Sequence, residues 1–130
     1  MSAAEALKAA LIAALDGHQP FAGTLNGVHA IAPVRATPPF AVVGEMTARD
    51  WSTKTEAGRE LRFAVSVFEE PERAERLAAL TGEAETAIEA MARDLDGWRL
   101  ASLVFVRSRV VRGQGPWAGV IEYRARVLGV

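Results

Sequence analysis

The chain has 130 residues, half of them apolar, and a formal net charge of −1. A chain of this length hides roughly two-thirds of its unfolded surface when it folds, which predicts a single domain over residues 1–130. The near-neutral charge argues against a protein that coats nucleic acid, and the lack of cysteine excludes disulfides and cysteine-ligated metal sites.

The opening of the chain predicts an amphipathic helix. Ser2 followed by Glu5 forms a capping-box pattern, and the helix should end near Gly17. Its apolar side is formed by Leu7, Leu11, Ala14 and Leu15. This segment is too short and too alanine-rich for a membrane span and lacks the features of a signal peptide. We therefore expect a soluble protein that is not exported and has no membrane partner.

Residues 18–39 carry glycine and proline without a sustained period, which predicts loop with at most a short strand around Val28 to Ala32. Both histidines of the chain, His18 and His29, lie in this segment. Their spacing matches no metal motif, and an acid such as Asp16 near a histidine occurs often by chance. We interpret them as loop residues.

Two strands are predicted next, from Phe40 to Trp51 and from Arg59 to Glu69, joined by a polar connector that contains Gly58. The second strand alternates, so that one row of apolar side chains points to one face. That row consists of Leu61, Phe63, Val65 and Val67.

An antiparallel hairpin in which Ala48 pairs with Phe63 would keep Glu45 and Arg49 out of the core, so this register is favoured. The residues that would then share the apolar face are Val42, Gly44, Met46 and Ala48. The same register leaves Trp51 and Phe68 on the opposite, polar face. Two interpretations remain open: a helix covers one of them or a bulge turns Trp51 inward, or they contact another subunit.

Pro71 suits the first turn of a second helix that runs to about Asp94. Its apolar residues recur at three- and four-residue steps: Leu77, Leu80, Ala84, Ile88, Met91 and Leu95. Two further strands follow, Trp98 to Arg112 and Trp117 to Leu128, separated by the turn sequence GQGP. The predicted fold class is α+β, with an antiparallel or mixed sheet of about four strands in two hairpins and two main helices packed on one face.

Charge is distributed unevenly along the second half of the chain. Residues 69–96 contain nine acidic and three basic side chains, whereas residues 98–130 contain six arginines and one glutamate. Ordinary solvation of a helix and of strand edges explains this pattern. So does a ring in which the acidic helix of one copy meets the arginine-bearing strands of the next.

No set of residues predicts catalysis. STKT at 52–55 lacks the preceding glycines of a phosphate-binding loop, and GQG at 113–115 lies between two strands. The carboxylates Asp50, Glu56, Glu60 and Glu122 have no spacing that places two of them in one cleft. We predict no enzyme activity, no cofactor and no metal site.

Four segments together resemble the family of phage tail-completion proteins, also called tail terminators or head-tail joining proteins, which includes members from bacterial gene transfer agents. The segments are PPFAVVGE, RDWSTKTEAGRELRFAVSVFEE, GWRLASLVFVRSRVVR and WAGVIEYRARV. They cover most of the chain from Pro38 onward, and DWSTKT is the most specific part. Leu61 and Trp98 depart from the pattern, because histidine is expected at both positions.

The resemblance implies a structural virion protein: a hexameric ring that terminates the tail tube and joins it to the head-side connector or stopper protein. Its partners would be further copies of itself and the major tail tube protein, with DNA only passing through the lumen. Assembly would be cytoplasmic, and the finished ring would lie at the head-tail junction. Trp51 would be a plausible anchor at an interface. The expected subunit or tail-tube contacts are Trp51, Ser52, Thr53, Lys54, Thr55, Glu56, Arg59, Phe68 and Trp117.

A small enzyme would need a concave pocket with converging polar groups, for which the sequence offers no cluster. A small non-enzymatic α+β protein- or peptide-binding module fits better, because hairpin edges and exposed tryptophans serve many partners. The resemblance does not distinguish an infectious phage, a prophage remnant and a gene transfer agent, although the overall match favours the last.

Overall fold

The computed structural model describes residues 1–130, which form three α-helices and one seven-stranded sheet. The helices are α1 (Ala3–Asp16), α2 (Phe21–Thr24) and α3 (Ala74–Glu89). The strands are β1 (Val28–His29), β2 (Phe40–Val43), β3 (Thr47–Asp50), β4 (Gly58–Glu69), β5 (Asp94–Leu95), β6 (Trp98–Val111) and β7 (Trp117–Gly129). None of the helices is long and apolar enough to cross a membrane.

The sheet is ordered β1-β2-β4-β7-β6-β5, and β3 pairs with β4 beside β2. Only β1 and β2 run parallel; the other neighbouring strands are antiparallel. The α+β class is therefore confirmed, whereas the count of about four strands was too low. Two of the additional strands, β1 and β5, have two residues each, which is too short to give a periodic signal.

The segment predicted as one strand from Phe40 to Trp51 is divided into β2 and β3. Val43 pairs with Val65 and Ala48 pairs with Leu61, so five steps on one side oppose four on β4. The predicted pairing of Ala48 with Phe63 is therefore wrong by two residues. The extra residue acts as a bulge that reverses the alternation. Val42 consequently lies on the opposite face, and its neighbours on β2 face the helices instead.

Helix α1 forms as its sequence predicts. The Glu5 backbone N–H donates to Ser2 Oγ at 3.1 Å, and the Ser2 backbone N–H donates to Glu5 Oε1 at 3.0 Å. The helix ends at Gly17, and its leucines are fully buried. The buried residues of this side are Ala3, Ala6, Leu7, Leu11 and Leu15.

Helix α3 ends at Glu89, earlier than the predicted end at Asp94. Gly97 adopts φ +82°, a conformation that favours glycine, and closes a tight turn after which the chain returns as β6. This turn pairs β5 with the start of β6, and the Leu100 backbone N–H donates to the Arg93 carbonyl at 2.7 Å. Asp94 and Leu95, which the helical pattern placed at the end of the helix, therefore belong to the sheet.

Helices α1 and α3 pack on one face of the sheet and enclose a single core of 22 buried residues. Helix α3 lies against β4 and β7. The contact is close at Gly119, where an added Cβ would lie 2.3 Å from Thr81 Oγ1, itself bonded to the Leu77 carbonyl. A glycine at this point of β7 thus sets how near the helix can approach.

We predict that Gly119→Ala lowers the free energy of unfolding by about 1–3 kcal/mol, because the new methyl group overpacks the contact between helix and sheet. Denaturation by urea measures the change. Adding Thr81→Ala should recover most of the loss by removing the clashing hydroxyl. Gly113→Ala, at a position with open space around it, is the matched control. Equal destabilisation by both alanines would contradict the packing argument.

Candidate assembly interfaces

The connector between β3 and β4, residues 51–57, is a hydrogen-bonded loop at one end of the sheet. Ser52 Oγ donates to Asp50 Oδ1 at 2.7 Å and accepts the Gly58 backbone N–H at 3.0 Å. Thr53 Oγ1 accepts the Glu56 backbone N–H at 3.0 Å. Side chains that the sequence nominated for binding therefore shape the loop itself.

Three consecutive side chains at the tip, Lys54, Thr55 and Glu56, are exposed. Neither Lys54 nor Glu56 forms an ion pair within the chain. Arg59 is different, because its Nη1 donates to the Gly58 carbonyl at 2.8 Å and pairs with Asp50 at 3.3 Å. Hydrogen bonds thus fix the shape of the loop, while the side chains of Lys54, Thr55 and Glu56 remain free to contact another molecule.

No helix covers Trp51, which lies on the sheet face opposite the helices. Its ring packs beneath the Arg126 guanidinium, 5.2 Å from the ring centroid, and the residue is half-buried. Gly58 makes this arrangement possible, because an added Cβ there would lie 2.4 Å from the Trp51 carbonyl oxygen. The tryptophan is therefore held at the base of the connector.

Phe68 and Trp117 lie at the other end of β4, far from the connector. Twelve residues of β4 separate the two ends by about 35–40 Å. Phe68 stacks on Phe40 with 4.8 Å between ring centroids, and Trp117 packs beneath the Arg112 guanidinium at 4.9 Å. The nine sequence-predicted contact residues thus form two groups, seven around the connector and two at the far end.

The sheet face opposite the helices, here called the arginine face, carries six arginines and two glutamates. They are Arg49, Glu60, Arg62, Arg107, Arg109, Glu122, Arg124 and Arg126. The sequence showed an excess of arginine after residue 97 but not that β3 and β4 contribute to the same surface. The alternation of charged and uncharged residues in EYRAR at 122–126 is the signal that could have identified it.

Glu60 lies at the centre of one half of this face. Arg126 Nε donates to it at 3.0 Å, and Arg49 and Arg124 lie at 3.7 and 3.9 Å. The Arg126 hydrogen bond holds the pKa of this carboxyl below its usual range against the opposing effect of burial, and the neighbouring positive charges add to the lowering. Glu60 therefore binds three positively charged strand residues together.

Glu122 plays the same part in the other half. It accepts a hydrogen bond from Arg107 Nε, and Arg109 lies 3.6 Å away. The Arg107 hydrogen bond lowers the pKa of Glu122, again with a contribution from the second arginine. Two acids thus compensate part of the charge of the arginine face and leave it positive.

Two further titratable side chains have partners within the fold. His18 Nε2 lies 2.7 Å from Glu83 and not against Asp16, so the sequence pair of Asp16 and His18 does not form. Tyr123 donates to Glu89 at 2.9 Å, and burial together with this bond raises the pKa of the phenol. No group of three or more His, Asp or Glu is arranged to hold a metal ion.

The largest cavity, about 510 Å³, lies between the ends of α1 and α3, and none of the predicted contact residues lines it. Most of its lining is alanine: Ala10, Ala13, Ala14, Ala87, Ala90 and Ala92. It does not bring together the converging polar groups that a substrate site requires. The extended outer surfaces of the sheet are therefore the better candidates for function.

Comparison with known proteins gives one family and two similar structures. The family described as Tail completion protein gp17 matches residues 9–128. A chain from the virion of a native gene transfer agent particle has a TM-score of 0.75 at 24% identity, covering 99% of this chain and 100% of that chain. The bacteriophage SPP1 gp17 protein has a TM-score of 0.60 at 19% identity, covering 98% and 91%. None of the curated proteins matches.

We predict that Glu60→Gln lowers the free energy of unfolding at neutral pH, because it leaves Arg126, Arg49 and Arg124 without their shared negative charge. A carboxyl whose folded pKa is lowered stabilises the fold above its ordinary pKa of 4.5 and loses that contribution as the pH falls through the folded value. The difference between the two proteins should therefore narrow below about pH 4.5.

Chemical denaturation between pH 3 and 8 measures this difference. The matched control is Glu56→Gln, because the Glu56 side chain has no ion pair to lose. A gap between Glu60→Gln and the unmodified protein that stays constant with pH would show that the ion pairs contribute nothing.

Proposed function

The chain belongs to the tail completion protein gp17 family, and on this premise we propose that it forms a ring that closes the tail tube and joins it to the head. The family is one of structural tail proteins and not of enzymes. Its match over residues 9–128 is the observation that carries the proposal. The likeness to a chain of a gene transfer agent virion over the whole length of both chains favours a particle of that type.

In this proposal six copies form the ring in the cytoplasm, and the finished ring lies at the head-tail junction. One end contacts the major tail tube protein, and the other contacts the head-side connector or stopper protein. Interfaces of about 1,000–2,000 Å² are sufficient for such specific contacts, and two long hairpins provide extended surfaces for them. DNA passes through the lumen without being bound.

The connector end is proposed to contact the tube or a neighbouring subunit. Its exposed tip residues Lys54, Thr55 and Glu56 offer directional polar contacts, and Trp51 provides an aromatic anchor at their base. Ser52, Thr53 and Arg59 hold the loop in shape. Phe68 and Trp117 belong to a second contact at the opposite end of the sheet.

Electron microscopy of particles from cells with and without this gene tests the role. Loss of the gene should give overlong or ragged tails, or filled heads without joined tails. Unaltered particles would contradict tail completion and favour the protein- or peptide-binding module instead.

We predict that the triple variant Lys54→Ala, Thr55→Ala and Glu56→Ala folds normally but reduces the number of joined particles at least about tenfold, because it removes the outermost polar groups of the contact. Circular dichroism checks the fold, and particle counts by electron microscopy measure assembly. Arg35→Ala, which removes an exposed side chain from the loop before β2 and lies outside both groups of contact residues, is the matched control. Normal numbers of joined particles in the triple variant would exclude the tip as a contact.

A further inference from the structure

Strand β6 has a long free edge. Strand β5 pairs only with Trp98 and Arg99, so residues 101–111 have no neighbouring strand on that side. Five large apolar side chains of this stretch are between 41% and 56% exposed: Val104, Phe105, Val106, Val110 and Val111. The stretch contains no proline and no lysine, two of the residues that commonly block pairing at a sheet edge.

The helices do not shield this strand either. A groove of about 460 Å³ separates α3 from the far half of β6, with Leu77 and Thr81 on one wall and Val110 on the other. Phe105 reaches the core only at its rim, where it meets the Tyr123 ring edge-on at 5.8 Å. Both the backbone edge of β6 and its helix-facing side chains are therefore accessible to solvent.

The opposite edge of the same sheet is formed partly by β3, whose four residues are all exposed. Strands β3 and β4, β4 and β7, and β7 and β6 are each antiparallel, so β3 runs opposite to β6. If the ring axis is parallel to the strands, the rotation that relates one copy to the next leaves the direction of every strand unchanged. The β6 edge of one copy would then meet the β3 edge of the next in antiparallel orientation, a head-to-tail contact of the kind that closes rings.

The two edges also match in height and length. Thr47 pairs with Arg62, Arg62 with Arg124, and Arg124 with Val104, so Thr47 and Val104 lie at one level of the sheet. Register shifts at Leu100/Ser102 and Phe105/Arg107 bracket four regularly paired residues of β6. Three of them, Ser102, Leu103 and Val104, lie at the levels of Arg49, Ala48 and Thr47 in β3.

Charge supports the same arrangement. Residues 101–106 are uncharged, and the first charged residue beyond them is Arg107. The Gly44 backbone N–H donates to the Ala64 carbonyl, and Ala64 shares a level with Glu122 and Arg107. The exposed Glu45, two residues before β3, would therefore lie close to Arg107 of the neighbouring copy.

We propose that the free edge of β6 binds the β3 edge of a second copy by antiparallel strand pairing, with Ser102–Val104 against Thr47–Arg49. This contact rests on the proposed ring and assigns the surfaces that join its subunits. It extends the sheet from one copy to the next around the ring.

Paired cysteines test the contact, because the chain has no cysteine of its own. Thr47→Cys combined with Val104→Cys should form disulfides only between copies. Within one chain the two positions are three strand spacings apart, about 14 Å, which no disulfide can bridge. Both side chains are exposed, so the substitutions leave the core intact.

Assembled particles carrying the variant are oxidised and analysed by denaturing gel, with Ser102→Cys and Val106→Cys replacing Val104→Cys in parallel to cover a small shift in register. The expected result is a ladder of covalent oligomers beyond the dimer that disappears on reduction. Val34→Cys with Val104→Cys is the control, since Val34 is fully exposed in a loop. Val104→Cys alone should remain monomeric.

Two results would overturn the proposal. Dimers from Val104→Cys alone would show that two β6 edges pair with each other. The absence of a ladder at all three β6 positions, in particles whose tails are joined normally, would exclude this strand pairing. Tail joining scored by electron microscopy in the same preparation keeps that outcome separate from a failure of tail completion itself.

Discussion

The pairing of β4 with β7 is the interaction on which the rest of the structure depends. Twelve consecutive residue pairs join the two strands without a register shift, from Gly58 with Leu128 to Glu69 with Trp117. Because the alternation is unbroken, every second side chain points to the helices and the others form the arginine face. Full burial of an apolar side chain contributes about 1.5–3 kcal/mol, so the row of β4 anchors both helices.

The helix side of this ladder is fixed at its far end by a buried charge. Glu69 is fully buried and accepts hydrogen bonds from Arg76 Nε and from the Glu70 backbone N–H. Removing either charge of such a pair would leave the other unpaired away from water, which is costly. Together with the close approach at Gly119, this ion pair positions α3 over β4 and β7. The helix therefore does not cover β6.

Local signals in the sequence predicted much of the fold. The Ser2 and Glu5 capping box and the alternation of β4 were sufficient for α1 and for the central strand. The division of β2 from β3 was not predictable, because the extra residue between Val43 and Ala48 is specified only by pairing with β4. Near the connector, the sequence pointed to Trp51 as a contact residue, which stays a prediction, but not to its packing partner Arg126, since 75 residues separate them in the chain.

The uneven distribution of charge affects how one subunit is oriented before it contacts another. The arginine face is positive, whereas α3 lies on the opposite side of the sheet. Glu72 lies just before the start of α3, and Glu75 lies in its first turn. A molecule of small net charge built in this way has an electric dipole across its sheet. In the proposed ring, this dipole would turn an approaching subunit in the field of its neighbours. Association would then slow as salt screens that field, although the finished contacts would be the same.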